Sequence, residues 1–339
     1  MTFSSAGEFE KEFPFQEEIY EQIRFLLEAA TRAPSTHNSQ PWQFRIENNS
    51  LFVYRDTRIR LPQSDSVNRY AHISIGFLLN HIVLLSEWLS MEPCLVSRME
   101  EECIAEITFS KAKEGKEVSP IVEAIFKRKN RRGIFEMKTI PQGVLASATH
   151  VDMSGLSLPE IKVVTDHEKI SRVADATATV MRRVYAREPF RREMSRWITP
   201  TGSSRKDGIP GYSLNQPKIM SWILPTIIRF VNMGKVLAGL NKTTIASAPA
   251  AFGFGAPDNP SGWVSTGYAA SHAALTLVAS GFDYSVFVAS VEYEDTRQSV
   301  GEIFGLQQPL EFFFVAGTLP GAVSWMTPRV PVDDKLIPS

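Results

Sequence analysis

The chain has 339 residues, 43% of them hydrophobic and 22% charged, with 36 basic against 37 acidic side chains. A net charge of −1 supplies no global field to draw in nucleic acid, and the two cysteines, Cys94 and Cys103, offer neither metal-ligand spacing nor a disulfide framework. The longest apolar run, 222–231, is interrupted by Pro225 and Arg229 and falls short of the ~20 residues a membrane span needs, so no membrane partner is expected. No signal peptide is visible, and a cytoplasmic location is the expectation.

Residues 1–15 mix charge with Phe without a clear period and read as a loose arm. An apolar-patterned helix follows over about 16–32. It runs into a polar loop, Ala33-Pro34-Ser35-Thr36-His37-Asn38-Ser39-Gln40-Pro41-Trp42, which leads into two strands over about 42–55 with a turn at Asn48-Asn49-Ser50. Pro34 and Pro41 fix φ at both ends of the loop, and six polar side chains crowd between them. Such a loop suits a planar, heteroatom-rich ligand. The plainer reading is a Pro-containing link between a helix and a strand.

A helix over about 71–90 and a strand over 103–109 precede a charged linker, 111–117. Next come a helix over about 119–129, a helix near 141–149, a strand over 161–164 and a long helix over about 167–187. The helix 119–129 ends in Lys127-Arg128-Lys129-Asn130-Arg131-Arg132. These cations fit either a solvated helix C-terminus or a clamp for a phosphate dianion, since the Arg fork matches phosphate oxygens. Residues 188–260, rich in Pro, Gly and Ser, read as an insertion of the kind that forms lids, with 247–262 as the rest of the lid or a hinge. A final strand, 310–315, and a Pro-x-x-Pro strap, 326–334, close the chain.

Two of these elements read alike. Ser74, Gly76, Phe77 and His81 align with Ser265, Gly267, Tyr268 and His272 at a constant offset of 191 residues. Each copy continues as an apolar helix and is followed by a β-rich segment. The chain is therefore expected to hold two α+β halves, 1–115 and 116–339. The six histidines show no ligand spacing, and His81 and His272, at repeat positions, are expected to pack.

The motif A-P-S-x-x-N-x-Q-P-W-x-F, carried by Ala33, Pro34, Ser35, Asn38, Gln40, Pro41, Trp42 and Phe44, resembles the flavin loop of the nitroreductase family. The His before the Asn resembles that family's twin-domain, Acg-like branch. The resemblance implies a nitroreductase-like α+β fold, two tandem half-repeats forming a monomeric pseudo-dimer, with paired mixed sheets wrapped by helices. It implies one FMN per chain, held by Pro34, Ser35, His37, Asn38 and Gln40, with the two amides at the ring edge and Ser35 at the ribityl or phosphate. Residues 128–135 resemble the family's R-x-[S/T]-x-R-x-F phosphate motif, but the register is ambiguous by one residue and Lys129 or Asn130 fills the hydroxyl position. Arg128, Asn130, Arg131 and Arg132 are the candidates, Arg128 and Arg132 favoured. Arg329 in the strap resembles the family's closing Arg. The stretch 146–155, where the second half's own loop should stand, lacks equivalents of Pro34, Gln40 and Trp42, so one composite site and one degenerate site are expected. Trp197 and Asp207-Gly208-Ile209-Pro210 resemble the branch's lid signature; an anchoring Trp and a simple turn are the alternative.

Two functions stay open. One is an NAD(P)H-dependent oxidoreductase reducing nitroaromatics, quinones or another small acceptor by ping-pong hydride transfer, with the flavin and no side chain as the reactive group. The other is a lid-closed, FMN-sequestering protein with little turnover.

Overall fold

Residues 3–15 are not a loose arm. In the computed structural model, which describes residues 3–100, 102–113, 115–153, 155–214 and 216–338, helix α1 (Ala6–Glu12) starts at Ser5, whose Oγ accepts from the Glu8 N–H at 3.2 Å. Glu114 of the charged linker and Ser154 of the 146–155 stretch lie outside the described residues. Phe9 is fully buried and meets Phe3, Phe13, Phe25, Trp88 and Phe126. The segment has no helical period long enough to announce itself, yet its aromatic side chains complete the core.

Helix α2 (Ile19–Ala30) buries Ile23, Leu26, Leu27 and Ala30, the i, i+3, i+4, i+7 stripe of an amphipathic helix. After the polar loop, β1 (Trp42–Glu47) and β2 (Ser50–Arg55) form a hairpin, with Asn48 in the left-handed region at φ 55°. β1 alternates, with Trp42, Phe44 and Ile46 turned inward. Helix α3 (Arg69–Trp88), β3 (Cys94–Glu100) and β4 (Cys103–Thr108) complete a four-stranded antiparallel sheet ordered β1-β2-β4-β3.

Helix α4 (Pro120–Lys127) has Ser119 as N-cap and Pro120 at its first position, both suited to a helix start. Then come α5 (Gln142–Thr149), β5 (Glu160–Val164), α6 (His167–Ala186), α7 (Glu188–Trp197), the short parallel pair β6 (Ile198–Thr199) and β7 (Ile209–Pro210), α8 (Lys218–Phe230), α9 (Gly234–Ala246) and β8 (Ala250–Gly255). α10 (Pro260–Ala279), β9 (Asp283–Val286), α11 (Glu294–Phe304) and β10 (Leu310–Gly317) close the second sheet, ordered β5-β8-β10-β9.

The two sheets share one topology. In each, a pair of neighbouring strands precedes the repeat helix and another pair follows it, in the same spatial order. In the second sheet the hairpin equivalent to β1-β2 is opened, and 165–249 stands between β5 and β8. The insertion therefore begins before residue 188 and ends before 260. Residues 250–255 are no hinge: they are the strand between β5 and β10, with Phe252 and Phe254 fully buried. The sheets are also not mixed as expected. Their ladders are antiparallel, and among the described residues parallel pairing is confined to β6-β7 and to bridges that lay Leu336 beside Phe44 and Asn130 beside Tyr284, at one edge of each sheet.

The repeat has a physical reason at the crossing of α3 and α10. A Cβ on Gly76 would stand 2.1 Å from the Val264 carbonyl, and a Cβ on Gly267 would stand 2.0 Å from the Ile73 carbonyl. Ile73 and Val264 are themselves separated by the same 191 residues, so the contact is two-fold symmetric. Only glycine lets the two backbones approach this closely. Among the described residues, no single helix is long and apolar enough to cross a membrane.

Candidate functional site

The polar loop is held in an unusual backbone conformation. His37, Asn38 and Gln40 have φ of 55°, 55° and 52°, the left-handed region that costs most side chains energy. Surrounding contacts fix it. Ser35 Oγ accepts from the Gln40 N–H at 2.9 Å, Trp42 N donates to the Gln40 carbonyl at 2.9 Å, and Lys335 Nζ donates to that same carbonyl at 2.9 Å. Lys335 is buried with Asp56, 3.2 Å away, and Asp56 also takes a bidentate bond from Arg58. Strain of this kind persists only where neighbours over-determine it, and it concentrates at ligand clamps.

The strap crosses the loop. Asn38 Nδ2 donates to the Pro328 carbonyl at 3.1 Å, and Val330 N donates to Gln40 Oε1 at 2.8 Å. The insertion reaches it from the other side: Gln40 Nε2 donates to the Lys206 carbonyl at 2.9 Å, and the His37 and Trp197 rings lie 6.3 Å apart. Tyr212 hydroxyl joins the two covers by donating to the Met326 carbonyl at 2.8 Å. The Trp197 and Asp207-Gly208-Ile209-Pro210 segments thus lie over the loop, with Gly208 at φ 84° close against the Trp197 carbonyl. A cleft between the loop and α3, lined by Thr36, Ser39, Asp65 and Asn68, holds about 10 Å³, room for no more than a water. His37 Nε2 is buried with no hydrogen-bond partner, and burial lowers its pKa to about 4, so the ring is neutral at pH 7.

Under the loop three guanidiniums converge. Arg329 Nε donates to the Thr31 carbonyl at 2.7 Å, and its Nη atoms to Arg32 O at 2.8 Å, Asn38 Oδ1 at 3.0 Å and Thr327 Oγ1 at 2.6 Å. Arg128 donates to the same Arg32 carbonyl and to the Tyr284 hydroxyl, the latter at 3.0 Å. Arg32, at the end of α2, lies over the Phe126 ring and donates to the Phe3 carbonyl at 2.6 Å. Among the described residues no ion pair involves Arg32, Arg128 or Arg329, and their hydrogen-bond acceptors are neutral. Burial, reinforced by Arg128 and Arg32, lowers Arg329 to about 9, and burial with Arg128 lowers Arg32 to about 10. Both stay charged at pH 7, so the base of the loop is a positive centre with no carboxylate partner among the described residues.

The structure thus brings Ser35, His37, Asn38, Gln40, Arg128 and Arg329 together around the loop that Pro34 opens. It does not bring the rest of the basic run there. Asn130 Oδ1 accepts from Val286 N at 3.0 Å, Arg131 pairs with Asp283 at 2.9 Å, and Arg132 stacks on Phe287 at 3.8 Å. The segment lies along the edge of β9, and its side chains serve that edge.

This arrangement of loop, strap and cationic base is where relatives become informative. No family model matches the chain. The putative NAD(P)H nitroreductase Rv3131 of Mycobacterium tuberculosis is 25% identical over 303 residues, 84% of this chain and 81% of that protein. The chain is similar to this putative nitroreductase over most of its length. The putative NAD(P)H nitroreductase acg of the same organism matches at 36% identity over 59 residues, 17% of this chain and 18% of that one. Among solved structures, the FMN-dependent nitroreductase NfnB of Mycobacterium smegmatis in complex with NADPH overlays with a TM-score of 0.41 at 17% identity, covering 65% of this chain and 98% of that one. The FMN- and NADPH-dependent NfnB of Sphigopyxis sp. strain HMH gives 0.42 at 20%, covering 63% and 96%.

Sequence reasoning missed Arg32, Asp56 and Lys335. Arg32 directly precedes Ala33, and an Arg ending a helix passes for a dipole complement. Lys335 lies one residue beyond the strap as read from sequence.

Proposed function

We propose that this nitroreductase relative is an FMN-binding oxidoreductase that takes hydride from NADH or NADPH and passes it to a nitroaromatic, a quinone or another small acceptor in alternating half-reactions. The observation that carries this reading is the trio Arg32, Arg128 and Arg329, three cations with no carboxylate partner beneath a strained polar loop. A phosphate monoester is the anion such forks match. Arg128 and Arg329 would hold that phosphate, with Arg32 beside them. Asn38 and Gln40 would turn from the strap and Lys206, and Ser35 from the Gln40 N–H, to the rest of the cofactor, and the unpartnered His37 Nε2 leaves one further polar atom for it. Bound flavin would supply the hydride chemistry; the chain's own residues orient it, exclude water and keep positive charge nearby.

In this reading the halves divide at 115/116, the site is composite and single, and the chain works as a monomeric pseudo-dimer with a small-molecule acceptor as its partner. The names of the relatives support the NAD(P)H donor. A second reading is favoured by one observation: the loop's amides are already satisfied by the strap and by Lys206. A cover so well bonded suits a protein that holds FMN and turns over slowly.

Anaerobic addition of NADH and of NADPH to purified, FMN-loaded protein separates the two. Bleaching of the flavin absorbance with either donor is expected. Yellow protein that bleaches with neither leaves the holding function and refutes turnover. Protein that takes up no FMN refutes both.

A further inference from the structure

The insertion carries an exposed apolar surface that the site does not use. On α8, Ile219, Ile223, Thr226 and Phe230 recur at i, i+4, i+7 and i+11, one face of a helix, with Trp222 beside them; this face is turned to solvent. Trp222 is 60% and Phe230 71% exposed. Helix α9 presents Val236, Leu240 and Thr243 in the same way. The two helices are separated by three residues and bent by 114°, so the stripes meet at a corner occupied by Phe230 and Val231. Scattered exposed apolar residues need no explanation, but two adjoining stripes do.

The charge of the segment identifies the occupant. Residues 208–257 contain no Asp or Glu, and carry Lys218, Arg229, Lys235 and Lys242. All four cations are exposed. Lys242 shares Asp175 of α6; Lys218, Arg229 and Lys235 have no ion pair among the described residues. The chain as a whole is nearly neutral, so this is a local concentration of positive charge around an apolar face with an exposed Trp. That combination is how a helix lies in the headgroup region of a bilayer, with the apolar side inserted and the cations among anionic headgroups. A two-fold contact with a second copy through the same face would set the four cations against four others. We propose that the α8–α9 corner docks on an anionic lipid surface.

The docked surface belongs to the cover of the candidate site. The segment leading into α8 holds Lys206, whose carbonyl takes the Gln40 amide, and Tyr212, which bonds the strap. A bilayer at α8–α9 lies one short chain segment from the loop. The contact proposed is with one leaflet; no single helix among the described residues is long and apolar enough to span.

The test uses the full chain and flotation with vesicles of phosphatidylcholine alone or mixed with phosphatidylglycerol. Wild-type protein is expected to float with the anionic vesicles, to be left behind by the neutral ones, and to be released by high salt. Trp222→Ser with Phe230→Ser should abolish flotation. Lys218→Glu with Lys235→Glu should weaken it by about tenfold or more. These side chains face solvent, so the circular dichroism spectrum should not change. Independently of any folding defect, brominated lipid should quench wild-type tryptophan fluorescence, and Trp222→Phe should lose that quenching. The proposal is overturned if the wild type fails to float with phosphatidylglycerol vesicles at low salt, or floats undiminished in both double variants. It is equally overturned by a concentration-dependent dimer that Trp222→Ser with Phe230→Ser dissociates while no vesicle binds.

Discussion

Replacing Gly76 by alanine adds one methyl group at the closest point of the α3–α10 crossing. Its three nearest neighbours would be the Val264 carbonyl oxygen at 2.1 Å, Tyr268 N at 2.7 Å and Gly267 Cα at 2.8 Å, all of them backbone. No side-chain rotation relieves such contacts. Ordinary van der Waals separation is about 3.5 Å, so the helices must part by roughly an ångström. Overpacking of this kind costs ~1–3 kcal/mol, and the upper end applies because the obstacle is rigid. Alanine recovers up to ~1 kcal/mol of helix propensity. A net loss of ~1–2 kcal/mol is expected, read as a fall of about 0.5–1 M in the urea midpoint. Gly267→Ala should behave alike, since its Cβ would stand 2.0 Å from the Ile73 carbonyl. The double variant is the sharper test. One separation of the helices relieves both clashes, so its cost should fall short of the sum of the singles by at least ~0.5 kcal/mol. Strict additivity, or a single substitution within ~0.5 kcal/mol of wild type, would refute the shared two-fold crossing.

Arg329→Ala removes the guanidinium that ties the strap to α2 and to Asn38; FMN affinity measured by fluorescence titration should fall about 10- to 100-fold, the worth of one or two charge-assisted bonds. Arg131→Ala should leave that affinity unchanged and lower urea stability by ~1 kcal/mol through the lost Asp283 pair, and a large loss of FMN would restore the basic run to the site. Burial, with Asp65 nearby, raises Glu292 to about 8. A raised carboxyl contributes stability that is fully present below about 4.5 and lost as pH climbs through about 8, so Glu292→Gln should flatten the stability–pH curve across that window and stabilise the fold by on the order of 1–2 kcal/mol above it; a parallel curve would count against it. Trp197→Ala removes the ring that faces His37, and anaerobic flavin bleaching by NAD(P)H should accelerate; an unchanged rate would mean that the Trp197 segment does not limit access.

The loop, the repeat helices and the strand pattern of 42–55 were legible because each follows from local rules: proline-fixed φ, a constant offset with glycine conserved in both copies, and alternation of buried positions. The basic run 127–132 was misleading for an equally local reason. In an extended segment neighbouring side chains point to opposite sides, so adjacency in sequence disperses them in space. Arg131 and Arg132 accordingly meet Asp283 and Phe287, while the guanidiniums that do converge come from 32, 128 and 329, three remote parts of the chain. The opened hairpin between β5 and β8 was hidden because its first insert, α6, reads as an ordinary amphipathic helix. β8 escaped notice because Ala250–Gly255 is buried throughout and shows no alternation.

The two ends of the candidate site differ in what it costs to use them. The cationic base has neutral acceptors only, so an incoming dianion would exchange those bonds for charge-assisted bonds of ~1.5–3 kcal/mol each without breaking an ion pair. The loop's amides are bonded to Pro328, Val330 and Lys206, and freeing those contacts costs ~0.5–1.5 kcal/mol each unless a ligand replaces them. Three such contacts amount to ~2–4 kcal/mol, equivalent to a competent, uncovered state populated at roughly 0.1–3%. Phosphate anchoring can offset that cost while the ring end stays covered. In the proposed reading, affinity would be set by Arg32, Arg128 and Arg329, and access for a hydride donor by Trp197, Lys206 and the strap. Trp197 and Lys206 lie on the insertion, apart from all three arginines, whereas Arg329 is itself part of the strap; in the proposed reading the insertion side of the cover could therefore open for turnover without changing the cofactor's anchor.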